Sequence, residues 1–132
     1  MNEGANSTYP EDWRGAARRD WGRVKFLLSS GDGDLAGFVL QQCLEKYLKA
    51  FLLGHGWRLR KIHDLDGLLD AAAAFDPSLE KFRSLCERVA DYYLASRYPI
   101  LRRARLDVAD VERNLSEARE LIQALHPEEA VD

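Results

Sequence analysis

The chain has 132 residues, of which 46% are hydrophobic and 31% are charged, and its formal net charge is −3. These values are typical of one globular domain with a single core. They argue against a surface that is basic overall, but not against a local basic patch. No apolar run is long enough to cross a bilayer, and the N-terminus lacks the pattern of a secretory signal. We therefore expect a cytoplasmic protein that does not enter a membrane.

The first predicted helix follows residues 1–11, a polar segment that we expect to be flexible. Thr8 and Glu11 have the spacing of a capping box, and apolar residues then recur with helical spacing as far as the turn at residues 30–33. Asp20 lies on this apolar stripe, so its carboxylate is expected to face inward and to need a partner. The alternative is an edge position that water reaches.

The second predicted helix carries the most informative pattern in the chain. Asp34 is its expected N-cap, and a glycine at position 54 or 56 ends it. Most residues between are apolar, and the polar exceptions share an arc of roughly 140°: Gln41, Gln42, Glu45, Lys46 and Lys49. Either this arc faces water, stabilised by pairs such as Glu45–Lys49, or it lines an inner groove for a polar or anionic ligand. Charged stripes are usually solvated, which favours the first alternative.

The third and fourth predicted helices begin with clear signals. A basic stretch at residues 57–63 precedes Asp64, a good N-cap for a short third helix. Asp76 and Pro77 then have the arrangement of an N-cap and a first helical residue, so they start the fourth helix. Pro99 disfavours helix at the residue before it and ends the pattern.

A second basic loop precedes the last predicted helix. Asp107 is the expected N-cap of that helix, and the histidine and proline at 126 and 127 end it. Because no segment alternates with period two, we predict an all-α, up-and-down helical bundle of about five helices over residues 12–126, followed by a tail at residues 127–132. The arginines of the loop are Arg97, Arg102, Arg103 and Arg105.

Recognisable catalytic motifs are missing from the sequence. Cys43 and Cys86 have apolar neighbours, no metal-ligand spacing and no nearby histidine, so both are expected to be buried. There is no Walker loop, zinc-protease helix or nucleophile elbow. Neither a metal nor a cofactor is predicted, and the remaining amide and cationic groups are better suited to binding anions than to breaking bonds.

Four short motifs occur in register along the chain: Ala17-x-x-Asp20, Phe38-x-x-Gln41-Gln42-x-x-Glu45-Lys46-x-x-Lys49-Ala50, Lys61-Ile62-His63-Asp64-Leu65 and Tyr93-x-x-x-Arg97-Tyr98-Pro99. Together with a final helix that opens at Asp107, they resemble the HEPN domain over roughly residues 12–125. The resemblance implies a helical bundle, often a homodimer, that contacts a nucleotide or RNA phosphate across a charged groove. It also implies a minimal nucleotidyltransferase partner, in a toxin–antitoxin or related operon.

One branch of that family consists of metal-independent ribonucleases that use an arginine and a nearby histidine at the start of a late helix. The segment that begins at Arg97 has no histidine at the required spacing. The chain therefore resembles the Arg-Tyr-Pro branch, for which binding without catalysis is the better interpretation. The alternative is a ribonuclease that uses His63 with Arg58, a pair with the right separation but in the loop after the second helix.

The resemblance implies a set of ligand-binding residues: Gln42, Lys46, Lys49, His63, Arg97 and Tyr98. Each has a structural alternative. Either lysine meets a ligand phosphate or an internal carboxylate such as that of Asp20, and His63 contacts a ligand or nearby backbone. Arg97 binds phosphate or Glu45, and Tyr98 stacks on a base or packs in the core, the more usual role of tyrosine at helical spacing.

Overall fold

A computed structural model describes residues 7–97 and 106–132, with the side chains of 7–92 and 106–132. Its α-helices are α1 (Pro10–Ser29), α2 (Gly33–Gly54), α3 (Leu65–Phe75), α4 (Arg83–Arg97) and α5 (Val108–Leu125), and a 3₁₀ segment, Pro77–Phe82, precedes α4. The described residues contain no strand. The predicted all-α bundle of about five helices is therefore confirmed, whereas residues 1–6 of the segment expected to be flexible lie outside the description.

The side-chain caps explain where several helices begin. The carboxylates of Asp64, Asp76 and Asp107 accept hydrogen bonds from backbone amides at the starts of α3, the 3₁₀ segment and α5, which confirms the three predicted caps. Such caps satisfy amides that have no partner inside the helix. After Asp76 the chain first forms 3₁₀ turns, so the prediction that the α-helix starts at Pro77 is wrong by six residues.

Two other predicted caps are wrong. Asp32, and not Asp34, caps α2 by accepting a hydrogen bond from the amide of Leu35, while the carboxylate of Asp34 accepts one from the amide of Leu106. At α1 no side chain caps the helix, because its N-cap is Tyr9 and a proline follows as the first helical residue. Proline suits that position, since its fixed φ angle is helical and it has no amide hydrogen to satisfy.

Helix α2 is the central helix, because it packs against α1, α3, α4 and α5. This position explains its mostly apolar sequence, since a helix that is covered on nearly every side has little surface for polar residues. Cys43 and Cys86 are both buried in this core, as predicted. Among the described residues, no helix is long and apolar enough to span a bilayer. The largest fully buried side chains include Leu40, Leu44, Tyr47, Leu48 and Leu52 of α2.

Helix α3 runs in the same direction as α2. Leu65, at its start, shares a groove with Gln42 near the middle of α2, and Phe75, at its end, lies beside His55 at the C-terminal end of α2. The chain reaches the start of α3 through residues 57–64, a non-helical segment that returns along α2. This segment therefore forms one side of the molecule between the end of α2 and its middle.

Residues 127–132 pack back onto the bundle. Glu129 is 5% exposed, and its carboxylate accepts hydrogen bonds from Arg14, Arg18 and the hydroxyl of Tyr47. Burial alone would raise the pKa of this carboxyl, but the hydrogen bonds from Arg18 and Arg14 outweigh burial and lower the pKa to about 2. The segment predicted as a tail thus holds a buried ion pair to α1.

Candidate functional site

A groove of about 520 Å³ lies between α2, the start of α3 and α4. Its wall combines apolar, amide, imidazole and carboxylate groups, a composition typical of a site that orients a small polar ligand. Two of the predicted ligand-binding residues, Gln42 and His63, line it. The complete lining is Phe38, Gln41, Gln42, Glu45, His63, Asp64, Leu65 and Ala90.

The polar arc of α2 is covered and not solvated. Gln41, Glu45 and Lys49 are 4%, 6% and 3% exposed, and Gln42 and Lys46 are half-buried. The favoured alternative, a charged exterior, is therefore wrong for most of the arc. The cause is tertiary packing: α1 covers one edge of the arc, and the segment 57–64 covers the other.

Lys46 points towards α1 and pairs with Asp20. The distance from Lys46 Nζ to an Asp20 carboxylate oxygen is 2.5 Å, and Arg23 binds the other oxygen at 2.9 Å. Asp20 is 3% exposed, so the prediction of an inward carboxylate with a partner is confirmed. Of the two predicted roles for Lys46, the structure shows the internal ion pair.

Lys49, Glu45 and His63 form a second charged cluster at the groove. Glu45 lies 3.9 Å from Lys49 Nζ and 3.4 Å from His63 Nδ1, and Lys49 Nζ lies 3.5 Å from the same imidazole nitrogen. Burial raises the pKa of Glu45, although the neighbouring cations oppose this, and burial lowers the pKa of Lys49. The ammonium group of Lys49 also lies 5.1 Å from the ring centre of Trp13, a favourable cation–π contact.

His63 is held at the mouth of the groove with its ring in solvent. Its backbone carbonyl accepts a hydrogen bond from Gln41, whose own carbonyl oxygen accepts one from Gln42. The imidazole is 70% exposed, and its Nε2 has no partner among the described residues. Nε2 is therefore available to a ligand, while Nδ1 contacts the buried charged pair.

The segment 57–64 also carries a group of exposed cations. Arg58, Arg60 and Lys61 point into solvent, whereas Leu59 and Ile62 between and after them are half-buried. Trp57 and Ile62 pack against the core and anchor the segment, while its cations point outward. None of the three has a carboxylate partner in the described part of the chain, so this is a local positive patch beside His63.

The structure brings together some of the predicted residues and leaves others apart. Gln42 and His63 share the groove, while Lys46 and Lys49 are directed to internal carboxylates. Arg97 is the last residue of α4, but its side chain, like the whole of Tyr98, lies outside the described residues. Sequence reasoning did not assign Glu45 to the ligand site, although it had placed this residue on the polar arc.

Chemically, the groove offers hydrogen-bond acceptors and donors. Among the described residues, no three histidine, cysteine, aspartate or glutamate side chains are grouped to hold a metal ion. An imidazole with a carboxylate neighbour can orient a ligand or transfer a proton. The adjacent unpaired cations can bind phosphate.

Comparison with known proteins agrees with the fold. The model of the HEPN domain matches residues 10–129. The solved crystal structure of TT1696 from Thermus thermophilus superposes with a TM-score of 0.75 at 24% sequence identity, over 89% of this chain and 96% of that one. This likeness establishes the fold of the bundle. No curated protein matches the chain.

Proposed function

Because this chain belongs to the HEPN domain family, we propose that it binds a nucleotide or a nucleic acid at the groove between α2, α3 and α4. Membership in the family supports a nucleic-acid-related module. The observation that carries the proposal is the position of the exposed imidazole of His63, between the polar groove and three unpaired cations of the segment 57–64. In a chain with net charge −3, such a patch marks a place for an anion.

The groove and the patch suit different parts of a nucleotide. The side chains of Gln42 and His63 can form hydrogen bonds with a base or with sugar hydroxyls, and the rim cations can bind phosphate. Lys46 and Lys49 are less suited to phosphate because each already has an internal carboxylate partner. In this proposal they hold the wall of the groove in place.

Arg97 and Tyr98 extend the proposed site at the end of α4. Ala90 lines the groove, and Arg97 follows it by two helical turns, about 10 Å along the same helix. We propose that Arg97 binds phosphate and that Tyr98 contacts the base, the roles that the family resemblance implies.

Calorimetry with nucleoside triphosphates and a short single-stranded RNA tests this site. We expect Gln42→Ala and His63→Ala each to weaken binding about fivefold or more, as loss of a ligand hydrogen bond does. Gln123→Ala is the matched control, because Gln123 is an exposed glutamine on α5. The site is refuted if wild type binds none of these ligands, or if the groove variants bind as tightly as the control.

We further propose a minimal nucleotidyltransferase partner in a toxin–antitoxin or related operon, as the resemblance implies. The basic patch offers a surface that a negatively charged partner or its bound nucleotide can contact. Co-expression with the neighbouring reading frame, followed by gel filtration, tests the complex. Separate elution of the two proteins, together with normal growth of cells that express this chain alone, would remove this part of the proposal.

Homodimer formation is a separate proposal. A mainly apolar groove of about 520 Å³ lies between α1 and α2, where Phe26 is 70% and Leu35 is 42% exposed. Exposed apolar surface of this kind often marks an interface, and a second copy is the occupant that the family resemblance favours. Sedimentation should show a dimer for wild type and a monomer for Phe26→Glu. A monomeric wild type at micromolar concentration would contradict the proposal.

A metal-independent ribonuclease is the second candidate function. It is favoured by the contact between Glu45 and Nδ1 of His63, which leaves Nε2 free to exchange a proton with RNA. Arg58 is the exposed cation that would stabilise the developing charge. Incubation of labelled RNA with the protein and EDTA tests for metal-independent cleavage. Cleavage that disappears in His63→Ala supports the enzyme, and intact RNA eliminates it.

A further inference from the structure

An aromatic stack lies at the far end of the segment 57–64 from the groove. The ring of His55 lies 4.2 Å from that of Phe51 and 5.1 Å from that of Phe75, measured between ring centres. Phe51 is buried, whereas His55 is exposed and Phe75 is 46% exposed. The stack thus presents two ring surfaces to solvent on a buried aromatic base.

The His55 ring is fixed in position. Its Nδ1 lies 2.9 Å from the backbone carbonyl of Phe51, and because a carbonyl only accepts, Nδ1 donates this bond. The adjacent rings of Phe51 and Phe75, tilted by 36° and 41° to the imidazole, restrict it further. A platform that is already ordered loses little conformational entropy when a ligand stacks on it.

The segment 57–64, called the cationic segment from here on, joins this stack to the groove. It begins two residues after His55 and brings His63, its last residue but one, beside Gln42. Along α2, positions 42 and 55 are separated by about 20 Å. The exposed cations Arg58, Arg60 and Lys61 lie on the chain between these two ends.

We propose that the stack and the cationic segment form a binding track for single-stranded nucleic acid that extends from the groove. This inference rests on the proposed function and narrows its ligand from a mononucleotide to an oligonucleotide. Phosphates lie along Arg58, Arg60 and Lys61, and a base stacks against Phe75 and His55. A positively charged path that leads to exposed rings combines the two features of surfaces that bind single strands without sequence preference.

Fluorescence anisotropy with labelled single-stranded RNA and DNA of about ten nucleotides tests the track, since sites of this kind cover several nucleotides. Phe75→Leu keeps an apolar side chain but removes the ring, so we expect about tenfold weaker oligonucleotide binding. Binding of a mononucleotide in the groove should not change. Gln123→Ala is again the control, because Gln123 is exposed on α5 and lies away from both the groove and the aromatic rings.

The salt dependence of binding gives an independent measurement. Replacing the three cations together by glutamine should reduce the slope of log K against log salt by about 2, at about 0.7 per phosphate contact on a single strand. If Phe75→Leu binds the oligonucleotide as tightly as Gln123→Ala, or the salt slope does not change, the track is refuted. If groove variants still weaken mononucleotide binding in that case, the proposed function stands. If wild type binds neither the oligonucleotide nor a mononucleotide, both the track and the proposed function are refuted.

Discussion

Replacing Glu129 by glutamine tests whether the buried ion pair holds residues 127–132 to α1. The pKa of this carboxyl falls from 4.5 to about 2 in the folded protein. By linkage that shift corresponds to at most about 3–4 kcal/mol of folding free energy at pH 7. Because Arg18 is 55% exposed, solvent screening reduces the expected loss to about 2 kcal/mol. Thermal unfolding should then occur about 7 °C lower than in wild type.

The pH dependence of this stability difference shows whether it comes from the charge of Glu129. A carboxyl with a lowered folded pKa stabilises the protein above its unfolded pKa, and this stabilisation is lost as pH falls through 4.5 towards 2. Urea unfolding should therefore show the gap between wild type and Glu129→Gln narrowing to less than half at pH 3. Glu128→Gln, at an exposed neighbouring position, should match wild type. A gap that stays constant from pH 7 to pH 3 would refute this reasoning.

Two further predictions concern packing and buried charge. Gly33→Ala should destabilise the protein by about 2 kcal/mol in urea unfolding, because the added methyl group overlaps the backbone of Asp107; Gly22→Ala, where the space is open, should be neutral or stabilising. Lys49→Met should cost about 3 kcal/mol at pH 7 because it leaves Glu45 buried without its cation, and adding Glu45→Gln should recover most of that loss. Equal stability of the single and double variants would contradict this.

Local signals in the sequence were enough for most helix boundaries. Asp64 and Asp107 were recognisable because an N-cap depends on a short side chain a few atoms from its own backbone amides. The prediction of Asp34 as the cap of α2 failed because a tertiary contact decides between two candidate caps. Asp32 and Asp34 are both suitable caps by type, and only the packing of Leu106 against the start of α2 assigns Asp34 to another amide.

The environment of the polar arc could not be predicted from the sequence of α2 alone. Periodicity shows that Gln41, Glu45 and Lys49 share a face, but not which neighbours cover that face. The cover comes from Trp13, far earlier in the chain, and from the segment 57–64 after the helix. The same limit applied to Glu129, whose arginine partners are more than one hundred residues away. Contacts between residues so far apart in the chain leave no local pattern in the sequence.

The buried charges of the arc give a further reason to place function at the groove. Burial works against the ionised forms of both Glu45 and Lys49, and an apolar pair of similar volume would often be as stable or more so. Stability alone therefore does not account for a carboxylate in the wall of the groove and an ammonium group beside it. Their contacts with Nδ1 of His63 account for them, because they hold one edge of an exposed imidazole beside the cationic segment. Variants at Glu45 and Lys49 should consequently affect ligand binding even where the double substitution restores stability.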